Sequence, residues 1–309
     1  MALSPRSKRL IFRLLLALLA VGGAVLLLIA YGWWYFHPTF QRTDGVVYGR
    51  RGETPLTMDI LRPNEPNGLG IAFMVSGGWK SKAAGEVSAA MMTPLLRRGY
   101  TVFAVCHVSQ PEATIMEIID DVNRGVRFIR HHAADYGIDP ERIGVTGGSA
   151  GGHLSLMLAT RGGPGPTDAP DPIDRESSAV QAVAIFYPPT DLLDLGESTE
   201  NPGDGGPPKS FVKAFGPQAT DMEVWKEIGR DCSPIYFLSD QLPPTLIYHG
   251  DADTLVPLDQ SLRFRDAAKE FGQDVQVVVH RGGGHGWASM FWDLLSFAGW
   301  FDRHLRSET

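Results

Sequence analysis

The chain has 309 residues, with 28 Lys+Arg against 35 Asp+Glu, a formal net charge of −7 and 43% hydrophobic residues. Ordinary apolar content and modest charge exclude disorder for most of it. The acidic balance, with no Lys/Arg stripe outside the extreme N-terminus, argues against a nucleic-acid partner. Cys106 and Cys232 are too few for a disulfide framework or a four-thiolate zinc site. The reading favoured is two independent thiols, with Cys106 inside an apolar run.

Residues 1–13 carry Arg6, Lys8, Arg9 and Arg13 and no acid; from Leu14 to Phe36 no residue is charged. A helix over residues 14–36 would be roughly 35 Å long, enough to cross a ~30 Å hydrocarbon core with some tilt. Tyr31, Trp33, Trp34, Tyr35 and Phe36 close it with rings suited to a membrane–water interface. The basic flank predicts a cytoplasmic tail at 1–13, a single-pass anchor at 14–36, and the remainder on the extracytoplasmic side. Ala30-Tyr31-Gly32 would serve as the cleavage site of a signal peptide, the competing reading. The long apolar core and aromatic end favour a retained anchor.

Beyond Pro38 the pattern is that of a folded domain, set at 40–309. Gly45–Tyr48, Leu56–Leu61 and Gly70–Val75 read as strands, 88–98 as a helix and Tyr100–His107 as a continuous apolar strand. Thr114–Tyr136 reads as one long helix, because Ile115, Ile118, Ile119, Val122, Val126 and Ile129 recur at three- and four-residue steps. Arg142–Thr146 is the next strand, followed by a helix from Ser149 to about Thr160. Val180–Tyr187, Thr245–His249 and Val275–His280 are further strands, with helices at Leu258–Phe271 and Trp287–Leu305. Apolar strands alternating with amphipathic helices predict an α/β fold: a mostly parallel sheet with helices on both faces. Gly162–Pro172 and Gly196–Pro208 read as surface loops, the second opening a segment of about 40 residues that is either a lid or substrate cap or a plain surface excursion.

Gly147-Gly148-Ser149-Ala150-Gly151-Gly152, between a strand and a helix, matches G-x-S-x-G. Small neighbours let a serine sit on a tight turn, and the following helix start offers N–H groups to a developing oxyanion. A phosphate-binding loop is disfavoured, since no G-K-[ST] follows. A serine hydroxyl needs a base and an orienting acid, in the chain order Ser, Asp, His. Strand 245–249 runs into Asp251 and Asp253, and strand 275–280 into His285 between two glycines. Either aspartate satisfies that order. His131, His132, His153, His249 and His280 lie on helices or at strand ends, and each reads as a packing or local hydrogen-bonding residue. For the oxyanion hole the residues point to the Ala150 N–H and to the loop Ser76-Gly77-Gly78-Trp79.

With these motifs the chain resembles the α/β-hydrolase superfamily over roughly residues 45–305. The likeness is to its esterase/lipase group, the BD-FAE-like and hormonesensitive-lipase-like carboxylesterases, kynurenine formamidases and feruloyl or acetylxylan esterases. The resemblance is carried by Tyr136-Gly-Ile-Asp-Pro-Glu-Arg-Ile-Gly-Val-Thr-Gly-Gly-Ser-Ala-Gly-Gly-His-Leu154, Leu56-Thr-Met-Asp-Ile-Leu-Arg-Pro63, Ser233-Pro-Ile235 and Pro243-Pro-Thr-Leu-Ile-Tyr-His-Gly-Asp-Ala-Asp253. It implies Ser149 as nucleophile, Asp253 as acid and His285 as base, with Gly77, Gly78 and Ala150 as oxyanion donors, a small-molecule ester as substrate, and no metal or organic cofactor. One departure stands out: Val75-Ser76 replaces the His-Gly that usually precedes Gly-Gly-Trp. A prolyl-oligopeptidase-like peptidase shares the triad order, but such enzymes carry a large N-terminal gating domain, and fewer than 40 residues separate the anchor from the first strands. A non-catalytic binding protein on the same scaffold is disfavoured because all three triad residues are present.

Overall fold

The structure is a computed structural model, and residues 4–306 are described; the side chains of residues 7–10 are not. Residues 1–3 of the expected basic tail, the side chains of Lys8 and Arg9, and residues 307–309 of the expected domain therefore lie outside this description. The chain divides into two units between Thr39 and Phe40. The first is a helix, α1 (Pro5–Phe36). Its segment Ile11–Phe36 has a mean hydropathy of 2.7 and is long enough to cross a bilayer. Leu18, Leu19, Leu26, Leu27 and Leu28 stand exposed along it.

In the second unit an eight-stranded sheet runs in the order β1-β2-β4-β3-β5-β6-β7-β8. The strands are β1 (Phe40–Arg51), β2 (Thr54–Pro63), β3 (Gly70–Met74), β4 (Thr101–Val105), β5 (Ile143–Gly148), β6 (Ala182–Phe186), β7 (Thr245–Gly250) and β8 (Val275–His280). β1 and β2 form an antiparallel hairpin, β2 joins β4 antiparallel, and every pairing from β4 to β8 is parallel.

The central strands of the sheet are buried on both faces, and their sequences show why. Along β3 and into the loop beyond it, Ile71 and Val75 face one core while Ala72 and Met74 face the other; in β4, Val102 and Ala104 alternate with Phe103 and Val105 in the same way. One core is closed by α3 (Ile115–His131), α5 (Ala150–Arg161) and α8 (Asp259–Lys269) through Ile118, Val122, Leu154, Met157 and Phe264. The other is closed by α2 (Thr93–Arg97) and α9 (Met290–Leu305) through Leu95, Leu96, Phe297 and Phe301. Short helices α4 (Ala133–Tyr136), α6 (Pro172–Arg175) and α7 (Met222–Asp231) lie in connections.

The capping box at the start of α3 is complete: Thr114 Oγ1 accepts from the Glu117 N–H, and Glu117 Oε2 accepts from the Thr114 N–H. The expected long helix 114–136 is divided at His132, whose backbone (φ −98°, ψ 16°) leaves the helical region between α3 and α4. The expected helix 88–98 is likewise divided. A 3₁₀ turn over Ala89–Met92 precedes α2, where Pro94, lacking an N–H, suits a first turn and not a continuation. The parallel strands β3 to β8 all end at one edge of the sheet, the edge at which open α/β sheets carry their sites.

Candidate active site

Ser149 lies between the end of β5 and the start of α5, with φ 55° and ψ −122°. Such a conformation costs a non-glycine residue on the order of 1–3 kcal/mol and persists only where its surroundings over-determine it. Here they do: the Ser149 N–H donates to Phe186 O (3.0 Å), its carbonyl accepts from the His153 N–H (2.9 Å), and the Gly151 N–H donates to Ser76 O (3.1 Å). The flanking glycines are sterically required. A Cβ on Gly147 would lie 2.5 Å from the Gly151 backbone, and one on Gly151 would lie 2.5 Å from Met74 O. The turn therefore holds the serine side chain at the C-terminal edge of the sheet.

Three of the expected residues meet there. The Ser149 hydroxyl donates to His285 Nε2 (2.9 Å), and His285 Nδ1–H donates to Asp253 Oδ2 (2.7 Å). The tautomer follows from the partners, because a buried carboxylate only accepts. Asp253 is 5% exposed. Burial alone would push its pKa up, but the nearby His249 ring and hydrogen bonds from the His285 imidazole and the Val256 N–H outweigh burial and hold the carboxyl well below the usual range. Its other oxygen accepts the Leu255 and Val256 N–H groups, both at 3.0 Å. Asp251 is directed elsewhere: its Oδ1 accepts from the Gly282 N–H at 2.6 Å and shapes the loop leading to His285.

The loop after β3 makes a tight turn in which Gly77 and Lys80 exchange both backbone hydrogen bonds (2.9 and 3.0 Å). Gly78 and Trp79 both have φ 55°; glycine adopts that region freely, and Trp79 is held there by its packing. The Gly77 N–H is already spent on Lys80, whereas the N–H groups of Gly78 and Ala150 have no acceptor among the described residues. Gly78, Ala150, Ser149 and His285 all line one cavity of about 500 Å³. Its walls are mostly apolar, from Trp79, Leu192, Leu195, Phe211, Leu255 and Val256, with Ser198 and Glu200 among the polar contributors. Ser198, Glu200, Pro208 and Phe211 come from the segment that the Gly196–Pro208 loop opens, so that segment forms part of the cavity wall.

The rival histidines named from the sequence have structural partners. His153 is fully buried, accepting from Trp79 Nε1–H (3.2 Å) and donating to Cys232 O (2.6 Å), and burial lowers its pKa to about 4. His249 donates to Val256 O and accepts from the Ser261 hydroxyl, both at 2.7 Å. His280 bonds Ser289 (3.0 Å), His131 meets Glu176 and His132 meets Asp135. Cys106 and Cys232 are separate buried thiols, pushed by burial up to about 11 and about 12. Tyr187 was not singled out from sequence; it packs its ring 4.4 Å from that of His285, and its signal was positional only, at a strand end on the site's edge. His249, read from sequence as a local hydrogen-bonding residue, also comes near the acid, with Nε2 3.6 Å from Asp253 Oδ2.

This strand order, with a serine elbow after β5 and an acid and a histidine after β7 and β8, defines an α/β-hydrolase of the esterase and lipase group. The chain belongs to the BD-FAE family, whose family model matches residues 58–268, a span that includes Ser149 and Asp253 and stops before His285. It is similar to the esterase LipQ of Mycobacterium tuberculosis, 28% identical over 239 residues, covering 75% of this chain and 53% of that protein. It is also similar to the probable isoprenylcysteine alpha-carbonyl methylesterase ICMEL1 of Arabidopsis thaliana, 24% identical over 261 residues, covering 83% and 53%. Among solved structures, a truncated carbohydrate esterase from gut microbiota superimposes with a TM-score of 0.66 at 26% identity, over 85% of this chain and 96% of that one. The chain spans about half the length of the curated relatives it matches.

Proposed function

We propose that the protein is a membrane-anchored serine carboxylesterase. The observation that carries the reading is the continuous relay from the Ser149 hydroxyl through His285 to Asp253, at 2.9 and 2.7 Å, on the wall of an apolar cavity. His285 takes the Ser149 proton as Oγ attacks the ester carbonyl, and Asp253 holds the imidazole tautomer and stabilises the imidazolium. The carbonyl oxygen becomes an oxyanion facing the Gly78 and Ala150 N–H groups. Collapse of the tetrahedral intermediate expels the alcohol, which takes its proton from His285. Water, activated by the same imidazole, then hydrolyses the acyl-enzyme and restores Ser149.

The cavity walls favour esters with an apolar body over sugar acetates: Leu192, Leu195, Phe211, Leu255 and Val256 offer a carbohydrate few hydrogen bonds. The anchor reading is supported by the uncharged run 14–36 within α1, and the orientation by Arg6, Lys8, Arg9 and Arg13 on its N-terminal side. A panel of p-nitrophenyl esters of increasing acyl length, run beside acetylated xylan with the full-length protein and with Ser149→Ala, tests the activity and the substrate class together. Turnover of the aryl esters that is lost in Ser149→Ala, with little release of acetate from xylan, is the expected result. Efficient deacetylation of xylan with no turnover of longer acyl chains would reverse the substrate reading.

A further inference from the structure

The oxyanion turn needs an anchor, because a donor misplaced by about 1 Å loses much of its effect on the transition state. Val75, at the start of the loop, is aliphatic and 5% exposed, so its side chain gives the turn no hydrogen bond. The anchoring comes instead from the segment that follows β4. His107 is 7% exposed, and its Nδ1 lies 2.8 Å from Val108 O, an atom that only accepts. Nδ1 therefore carries the proton, and Nε2 is left as an acceptor aimed at Ser76 Oγ, 3.0 Å away. The Ser76 hydroxyl donates to it. The carbonyl of the same residue accepts from the Gly151 N–H in the first turn of α5 (3.1 Å). Ser76 is thus held from the β4 side by its side chain and from the nucleophile side by its backbone, one residue before the turn begins.

The same segment grips the turn further along. Gln110 donates from its backbone N–H to Trp79 O (3.0 Å) and from Nε2 to Gly78 O (3.3 Å). The Ser81 hydroxyl donates to Val75 O (2.7 Å), drawing the two ends of the loop together, and accepts from the His107 N–H (3.3 Å).

We propose that His107 is a positioning residue for the oxyanion hole, fixing the Gly77–Lys80 turn through the Ser76 hydroxyl so that the Gly78 N–H stands opposite that of Ala150. The inference rests on the esterase reading above. His107 touches neither Ser149 nor the cavity, and acts only through the loop. Removing either end of the Ser76–His107 bond should loosen the hole, and removing both should cost no more than removing one.

The test measures kcat and KM for p-nitrophenyl butyrate with the full-length protein, together with the affinity of an alkyl trifluoromethyl ketone, which places a tetrahedral oxyanion on the serine. Ser76→Ala and His107→Ala should each lower kcat by about 10- to 100-fold with KM nearly unchanged. The double variant should match the singles, and ketone affinity should fall by the same factor as kcat/KM. His107→Gln, whose amide oxygen can accept from the Ser76 hydroxyl, should recover most of the loss. Should His107→Ala fail to fold, Ser76→Ala on the partly exposed loop removes the same bond and decides the matter. A kcat within twofold of wild type in Ser76→Ala, or a loss of kcat with ketone affinity intact, overturns the proposal. Ser149→Ala separates the two readings: if it turns over the ester normally, the Ser149 mechanism on which the proposal rests fails; if it is inactive while Ser76→Ala is fully active, only the role of His107 fails.

Discussion

At the scale of single residues, the account depends on three side chains having unequal roles. Ser149→Ala or His285→Ala removes the proposed nucleophile or base, and each should lower kcat by roughly four to six orders of magnitude with the fold retained. Steady-state kinetics beside circular dichroism checks this. The two aspartates should behave differently. Asp253→Asn loses the acceptor that holds the His285 tautomer and should cost on the order of 10⁴ in kcat. Asp251→Asn weakens one hydrogen bond to Gly282 and should cost no more than roughly tenfold. The opposite ranking would move the acid to Asp251. Asp253 also has a pH signature. Its folded pKa lies below the ~3.9 of an unfolded aspartate, so its contribution to stability is complete above that value and is lost as pH falls through the folded pKa. The difference in unfolding free energy between wild type and Asp253→Asn should therefore shrink as the pH is lowered below about 4. A difference that stays constant down to pH 2 would contradict the assignment.

At the scale of elements, α5 connects the Ser149 turn to the rest of the core through His153. Its folded pKa, about 4, lies below the ~6.5 of an unfolded histidine, so the unfolded chain binds the extra proton first. Stability should fall as pH drops from about 6.5 toward 4, by up to roughly 3 kcal/mol from this residue, and level off below. His153→Gln should flatten that slope in urea titrations at successive pH values; an unchanged slope would assign it to another group. The central parallel strands were legible in the sequence because they are apolar on both faces, as in Val102–Val105. β1 and β2 proved longer than their apolar cores suggested, because the ends of the hairpin pair through backbone bonds while Gln41 and Arg50 face outward and Arg51 turns to Glu117 and Asp121 on α3. The site was legible to the extent that its residues sit in local motifs at strand ends. The turn at Gly77–Lys80 consumes one expected donor, and Tyr187 and His249 approach the triad through tertiary packing. No spacing along the chain encodes either fact.

At the scale of the whole molecule, the orientation reading places the N-terminus in the cytoplasm and residues 40–309 outside it. Protease added to spheroplasts should digest the hydrolase domain while cytoplasmic controls survive, and protection of that domain would refute the orientation. A mature N-terminus near Trp33 would identify a cleaved signal peptide in place of an anchor. A chain beginning at Thr39 should dissolve without detergent and keep its activity, since the second unit begins at Phe40 and contains every residue of the proposed site. The central claim, that this molecule is a serine hydrolase acting through the elbow serine, has a direct test in covalent labelling of the full-length protein with a fluorophosphonate. Peptide mass spectrometry should find one adduct, on Ser149, with loss of ester turnover in proportion to labelling and no labelling of Ser149→Ala. An adduct on another residue, or full labelling with turnover intact, would contradict the account.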